Sequence, residues 1–139
     1  MRVLVDTHLL LWAAARSRRL PKEARRLLED PRNDVHYSAA SLWEIAIKLG
    51  LRRADFQVDL GRLRPALSKM GFLELPVTGA HAERLAALAP IHKDPFDRML
   101  VAQCLSEPLI LLTNDGTLEG YGDFVRVVSP PPRRRGRSA

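Results

Sequence analysis

The sequence predicts an α/β fold, an α/β/α sandwich with a mainly parallel central sheet. Short aliphatic runs alternate with helical patterns along the chain, which is the order of repeated βα units. Two of those runs, Val3-Leu4-Val5 and Ile110-Leu111-Leu112, are apolar at successive positions rather than at every second residue, as expected of strands covered on both faces. The 139 residues and 46% hydrophobic content suit one domain with a packed core, and the 27% charged content argues against wholesale disorder or a coiled coil.

Taken in order, Arg2-Val3-Leu4-Val5-Asp6 is a β-branched and aliphatic strand that ends in an acid. Leu9 to Ala15 reads as a short helix. Pro21 at a first helical position opens a second, running through Leu28 and closed by Asp30-Pro31. Val35 to Ser38 is a strand. From Ala40 to Leu49 apolar residues recur at 42, 45, 46 and 49, so a helix is expected with Ser41, Glu44 and Lys48 on the opposite stripe and Gly50 as its stop.

Leu60 to Met70 is helical up to Gly71, with Pro65 as a place for a kink. Phe72 to Val77 is a strand, and Thr78 to Leu88 a helix with Thr78 as N-cap. Asp94-Pro95-Phe96-Asp97 is the clearest helix start in the chain, an N-cap acid, a proline at N1 and an acid at N3, and Arg98 to Leu105 continues it. Ile110 to Thr113 is a buried strand, Asn114-Asp115-Gly116 turns, and Val125 to Val128 completes the sheet. The tail, Ser129 to Ala139, carries three prolines and four arginines; it is expected to be extended or disordered, leaving 1–128 as the folded domain.

The net charge of +6 suggests a polyanionic partner, but its distribution matters more than its sum. Four of the 22 basic residues lie in the tail, so residues 1–128 carry 18 against 16 acids and the body is close to neutral. Arg16, Arg18, Arg19, Lys22, Arg25 and Arg26 crowd six cations into eleven residues, either a solvated helix face or a contact for RNA phosphates. The single cysteine, Cys104, excludes an intramolecular disulfide and a multi-cysteine zinc site and reads as a core residue. Leu9 to Ala15 is too short to span a membrane, and a soluble cytoplasmic protein is expected.

Asp6 ends the first strand and Asp115 follows a later one, so in a parallel sheet both belong to the edge where ligands bind. Glu44 and Asp97 lie on helices that can border that crevice. Three or four carboxylates without a cysteine or histidine cluster suit Mg²⁺ or Mn²⁺, because such a pocket repels itself unless a cation or protons neutralise it. A divalent ion there would polarise a phosphoryl oxygen and lower the pKa of its water, the requirements of phosphodiester hydrolysis.

Each residue also has a plainer reading. Asp6 and Asp115 suit turns, Glu44 suits an i,i+4 pair with Lys48, and Asp97 at N3 suits a cap shared with Asp94. His8, His36, His81 and His92 show no ligand spacing and read as solvated or core residues, and Trp12 reads as core.

Val3-Leu4-Val5-Asp6-Thr7-His8, Ser41-Leu42-Trp43-Glu44-Ile45, His92 through Gln103 and Leu111-Leu112-Thr113-Asn114-Asp115, in that order, resemble the PIN-domain ribonucleases, specifically VapC-like toxins of bacterial type II toxin–antitoxin systems. The resemblance covers residues 2 to 128. It implies a PIN-like fold and an acidic quartet at Asp6, Glu44, Asp97 and Asp115. Asp6 and Asp97 would be the most direct metal ligands, with Thr7, Asp94 and Thr113 as supporting polar groups. It further implies Mg²⁺-dependent endoribonuclease activity with Mn²⁺ as a substitute, a homodimer, and an antitoxin that inhibits near the pocket. An aspartate-based phosphotransferase also begins with a strand-end acid, but Asp6-Thr7-His8 lacks a second Asp two residues on, and no glycine-rich phosphate loop is present. A non-catalytic RNA-binding or dimerisation module is disfavoured because all four acidic positions are filled.

Overall fold

A computed structural model describes residues 1–51 and 58–129. The elements run β1 (Arg2–Val5), α1 (Thr7–Ala14), α2 (Lys22–Glu29), β2 (Asp34–Ser38), α3 (Ala39–Gly50), α4 (Leu60–Lys69), β3 (Leu73–Leu75), α5 (Gly79–Ala86), α6 (Pro95–Ser106), β4 (Ile110–Thr113), a 3₁₀ turn (Gly116–Tyr121) and β5 (Val125–Val127). The five strands form one sheet in the order β3-β2-β1-β4-β5, with every pairing parallel. The expected tail falls outside the described residues from 130 onward.

The apolar runs of β1 and β4 are explained by two cores. Val3, Val5, Val35, Tyr37 and Leu112 face α1, α2 and α4 together with Ile45 of α3. Leu4, Leu111 and Val125 face the other way, onto Leu100, Val101 and Cys104 of α6 and Leu118 of the 3₁₀ turn. Successive strand residues point to opposite faces, so a strand buried on both sides has no position for a polar side chain until its end. Cys104 is a core residue, as expected.

Several boundaries differ from the sequence reading for local reasons. Asp6 accepts from the Leu9 backbone N–H and so caps α1, which starts at Thr7 rather than Leu9. Pro21 is the N-cap of α2 in extended geometry rather than its first helical residue. Ser38 caps α3 by accepting from the Ala40 N–H, and that helix runs through Gly50 to a C-cap at Leu51. Pro65 sits inside α4, which is assigned as one helix from Leu60 to Lys69. Gly71, at φ +82°, is the positive-φ residue past its end, where the Phe72 N–H reaches back to the Leu67 carbonyl.

The strand order reverses at β1. The chain winds outward through β2 and β3 and then returns to place β4 on the other side of β1. Such a switch leaves a crevice beyond the carboxyl ends of β1 and β4, because the connections leaving these strands go to different faces. Among the described residues no helix is long and apolar enough to cross a membrane.

Leu111 and Leu112 are both fully buried, one in each core. Truncating either to Ala is expected to cost about 2–5 kcal/mol in urea unfolding, whereas Leu51→Ala, at a residue 67% exposed, stays within about 0.5 kcal/mol. A large loss at only one of the two leucines would contradict a sheet covered on both faces.

Candidate metal and nuclease site

Asp6 closes β1 and is buried, 4% exposed, at the switch point. Both its oxygens are engaged: Oδ1 accepts from the Leu9 N–H at 2.8 Å and Oδ2 from the Thr113 hydroxyl at 2.6 Å. Burial raises its pKa, and the Thr113 hydrogen bond works against that rise. Thr113 also accepts from the Asp115 N–H at 3.0 Å, so one hydroxyl orients the ends of β1 and β4 together. Thr7 donates to Ser41 at 2.8 Å, which pins the start of α1 to α3.

Asp97 enters from the first turn of α6. Asp94 is the N-cap and accepts from the Phe96 and Asp97 N–H groups at 2.8 and 3.3 Å. The reciprocal half of a capping box is absent, because the Asp94 N–H goes to His92 Nδ1 at 3.0 Å. The expected shared cap between Asp94 and Asp97 is therefore only half formed, and the Asp97 carboxylate faces the crevice. Burial first, and then the charges of Asp94, Asp6 and Glu44, push its pKa up to about 7 against the opposing pull of His92. Carboxylates from β1, α3 and α6 thus share one electrostatic environment.

Glu44 corrects the expectation for α3. Ser41 and Glu44 lie on its buried face, while Trp43, Ala46 and Ile47 are exposed. The helix leaves the carboxyl end of β2, so its polar stripe borders the crevice and only part of its apolar stripe reaches the core. Glu44 pairs with Lys48 at 3.2 Å. The i,i+4 ion pair expected from the sequence is therefore present, but on the buried side of the helix rather than on an exposed face.

Asp115 caps the 3₁₀ turn by accepting from the Thr117 N–H and hydroxyl at 3.0 and 2.7 Å. Burial pushes its pKa up, but the hydrogen bonds from Thr117 and His92 outweigh this and hold it below the ordinary carboxylate value. His92, read from sequence as a solvated or core residue, belongs to the site. Its Nε2 lies 3.0 Å from Asp115 Oδ2 and 3.7 Å from Asp97 Oδ2. Since Nδ1 accepts from the backbone, the hydrogen-bond pattern places the proton of the neutral ring on Nε2, where it donates to Asp115. Ligand atoms of His92, Asp97 and Asp115 lie within 4.8 Å of one another. A histidine two residues before an N-cap acid carries no ligand spacing, so pattern reasoning had no signal for it.

The six cations from Arg16 to Arg26 are not gathered at this site. α1 carries the chain away from the carboxyl edge, and Arg16 and Arg25 border a groove with Asp34, Gly71 and Phe72 at the entrances to β2 and β3. Arg18, Arg19, Lys22 and Arg26 are exposed on the α1–α2 connection and α2.

The PIN-domain family profile matches residues 3–123. No curated protein gives a significant sequence match. Among solved structures, a chain of VapBC2 from Rickettsia felis, bound to a DNA fragment from its promoter, superposes with a TM-score of 0.65 at 11% identity, covering 94% of this chain and 100% of that one. A toxin–antitoxin complex from Klebsiella pneumoniae gives 0.62 at 24% identity, covering 90% and 96%. DNA-bound VapBC from Salmonella typhimurium gives 0.63 at 17% identity, covering 93% and 98%. With the profile running from β1 through the 3₁₀ turn, most of the chain's length, and the same fold in these solved structures, the chain belongs to the PIN-domain family.

Proposed function

We propose that this protein is a divalent-cation-dependent endoribonuclease that acts as the toxin of a type II toxin–antitoxin pair. The observation that carries the reading is the cluster at the switch point, where ligand atoms of His92, Asp97 and Asp115 lie within 4.8 Å of one another and Asp6 and Glu44 are near enough to push the Asp97 pKa up. At neutral pH such a cluster favours a bound cation over retained protons. PIN domains are typically nucleases, and the structural neighbours are toxin–antitoxin complexes.

The donor set fits a hard cation. Asp6, Glu44, Asp97 and Asp115 offer carboxylate oxygens, which suit Mg²⁺, with Mn²⁺ as a substitute. Asp6 and Asp97 are the proposed direct ligands, and Glu44 and Asp115 complete the acidic pocket. When bound, the ion would polarise a phosphoryl oxygen and acidify a water for attack on phosphorus. The remaining roles belong to the chain. Thr113 holds Asp6, Asp94 fixes the first turn of α6 and so the direction of Asp97, and Lys48 balances Glu44. His92 orients Asp115, and Thr7 ties α1 to α3.

The reading assigns residues 1–128 as the nuclease domain and 129–139 as an arginine-rich arm. It also assigns RNA as substrate, a homodimer as the assembled form, an antitoxin as inhibitor and the cytoplasm as the site of action. The groove bordered by Arg16 and Arg25 lies at the other end of the strands, so Arg16, Arg18, Arg19, Lys22, Arg25 and Arg26 would contact phosphates of a long RNA rather than the one being cut.

Purified protein is expected to cleave RNA with Mg²⁺ or Mn²⁺, and Asp6→Asn and Asp97→Asn each to lower the rate at least about 100-fold, about 3 kcal/mol of barrier. Expression of the wild type without an antitoxin should arrest growth. Full cleavage by both variants would overturn the site assignment.

A second expectation concerns the metal-free protein. The folded pKa of Asp97 lies above its unfolded value of 3.8, so the proton binds the folded state more tightly. The stability associated with that proton is fully present below about pH 4 and is lost as pH rises through about 7. Thermal unfolding in chelator should show Asp97→Asn gaining on the wild type between pH 5 and pH 8, and Mn²⁺ should reverse the order at pH 8. A variant-minus-wild-type difference that does not change with pH would contradict the electrostatic coupling.

A further inference from the structure

The last strand ends on the same edge as the acids. β5 runs parallel to β4 with Val127 paired to Thr113, and the Val128 N–H donates to the Thr113 carbonyl at 2.8 Å. Val128 is fully buried and Ser129 is exposed, so the chain leaves the fold at Ser129. By continuation of that register Ser129 lies level with Asp115, one strand spacing of about 4.8 Å away. Thr113 is also the residue whose hydroxyl donates to Asp6 and accepts from the Asp115 N–H, so the exit point is fastened to the crevice itself. Beyond it the sequence reads Pro130-Pro131-Pro132-Arg133-Arg134-Arg135-Gly136-Arg137, with four guanidinium groups and no carboxylate.

We infer that Arg133, Arg134, Arg135 and Arg137 clamp RNA beside the crevice, pairing with the backbone phosphates that flank the one being cut. The clamp presupposes the ribonuclease reading and adds to it where the strand is held. Acids at the crevice repel an approaching RNA strand, and a bound divalent ion offsets that repulsion chiefly at the phosphate it touches. Cations elsewhere do not supply the remedy. Lys48 is engaged by Glu44, Lys93 is a single exposed charge, and Arg16 and Arg25 border the groove at the other end of the strands. The four arginines are tethered where they are needed. A chain spans at most about 3.6 Å per residue, which keeps the Arg133 Cα within about 14 Å and the Arg137 Cα within about 29 Å of Ser129. A proline run favours extended backbone of about 3.1 Å per residue, which would set the arginines out over the edge rather than down among the acids. A guanidinium matches a phosphate bidentately and reads no base, so the clamp would supply affinity and position rather than sequence choice.

The test uses a labelled mixed-sequence single-stranded RNA hexamer, its binding followed by fluorescence anisotropy in Ca²⁺ over a range of salt and its cleavage in Mn²⁺. One variant combines Arg133→Gln, Arg134→Gln, Arg135→Gln and Arg137→Gln. A charge-matched control combines Arg32→Gln, Arg62→Gln, Lys69→Gln and Arg84→Gln, all at exposed positions on the turn before β2, α4 and α5. The tail variant is expected to bind about 10- to 100-fold more weakly at low salt and to flatten the log–log salt slope by about 1.5–3, since each neutralised single-strand phosphate contributes about 0.7. Its KM should rise while kcat at saturating RNA stays within about 2-fold, the mark of binding lost equally from ground and transition states. The control should bind and cut as the wild type does. Equal loss in both variants makes net charge rather than position the cause and overturns the clamp, as does wild-type affinity in the tail variant. Faster cutting and tighter Mn²⁺ binding by the tail variant would place the arginines in the crevice instead of on RNA, and also overturns it. A wild type that neither binds nor cuts RNA brings down the ribonuclease reading as well, whereas normal cutting by the tail variant with unchanged affinity brings down the clamp alone.

Discussion

Burying the Asp6 carboxylate at the end of β1 is the constraint on which the other contacts of the site depend. A buried carboxylate must be satisfied by hydrogen bonds, and here the donors come from two different elements, the first turn of α1 and the end of β4. Those bonds join the two strands at the point where the sheet reverses direction. Thr113 extends the link to the Asp115 backbone, and His92 extends it to the loop before α6. The crevice is thus organised from its most buried member outward, with Asp115, its most exposed acid, held by a turn and a histidine.

Repulsion is the cost of this arrangement. Asp97 is exposed enough to meet solvent yet close enough to Asp6, Glu44 and Asp94 to feel all three. Lys48 offsets part of the charge at Glu44, and the N-terminus of α6 contributes its dipole beside Asp97. A chain that needed only a stable sheet would gain nothing by gathering these acids, since like charges at an edge destabilise the fold. Ligand atoms of His92, Asp97 and Asp115 lie within 4.8 Å of one another, with Asp6 and Glu44 near enough to act on Asp97, an arrangement that supports the proposed cationic occupant.

Much of the fold was legible because it depends on local pattern. The apolar runs at Val3-Leu4-Val5 and Ile110-Leu111-Leu112 required burial on both faces, and Asp94-Pro95-Phe96-Asp97 marked a helix start that the structure keeps to the residue. The face of α3 was misread because an amphipathic stripe shows which residues differ, not which side meets solvent. A helix bordering a charged crevice buries Ser41 and Glu44 and exposes Trp43 and Ile47. His92 was hidden because its two partners are a backbone group two residues on and an acid from another strand end. The basic run from Arg16 to Arg26 was visible, but its position relative to the acids depends on the direction in which α1 leaves the sheet.

The net charge of +6 therefore describes no surface of the molecule. Cations border one end of the strands, and acids lie at the other. Anomalous diffraction at the manganese edge from crystals soaked in Mn²⁺ tests the central claim most directly. A peak about 2.1 Å from a carboxylate oxygen of Asp97, shared with at least one of Asp6, Glu44 and Asp115, is the expected result. A crevice without a peak at saturating Mn²⁺, its carboxylates still facing one another, would contradict it.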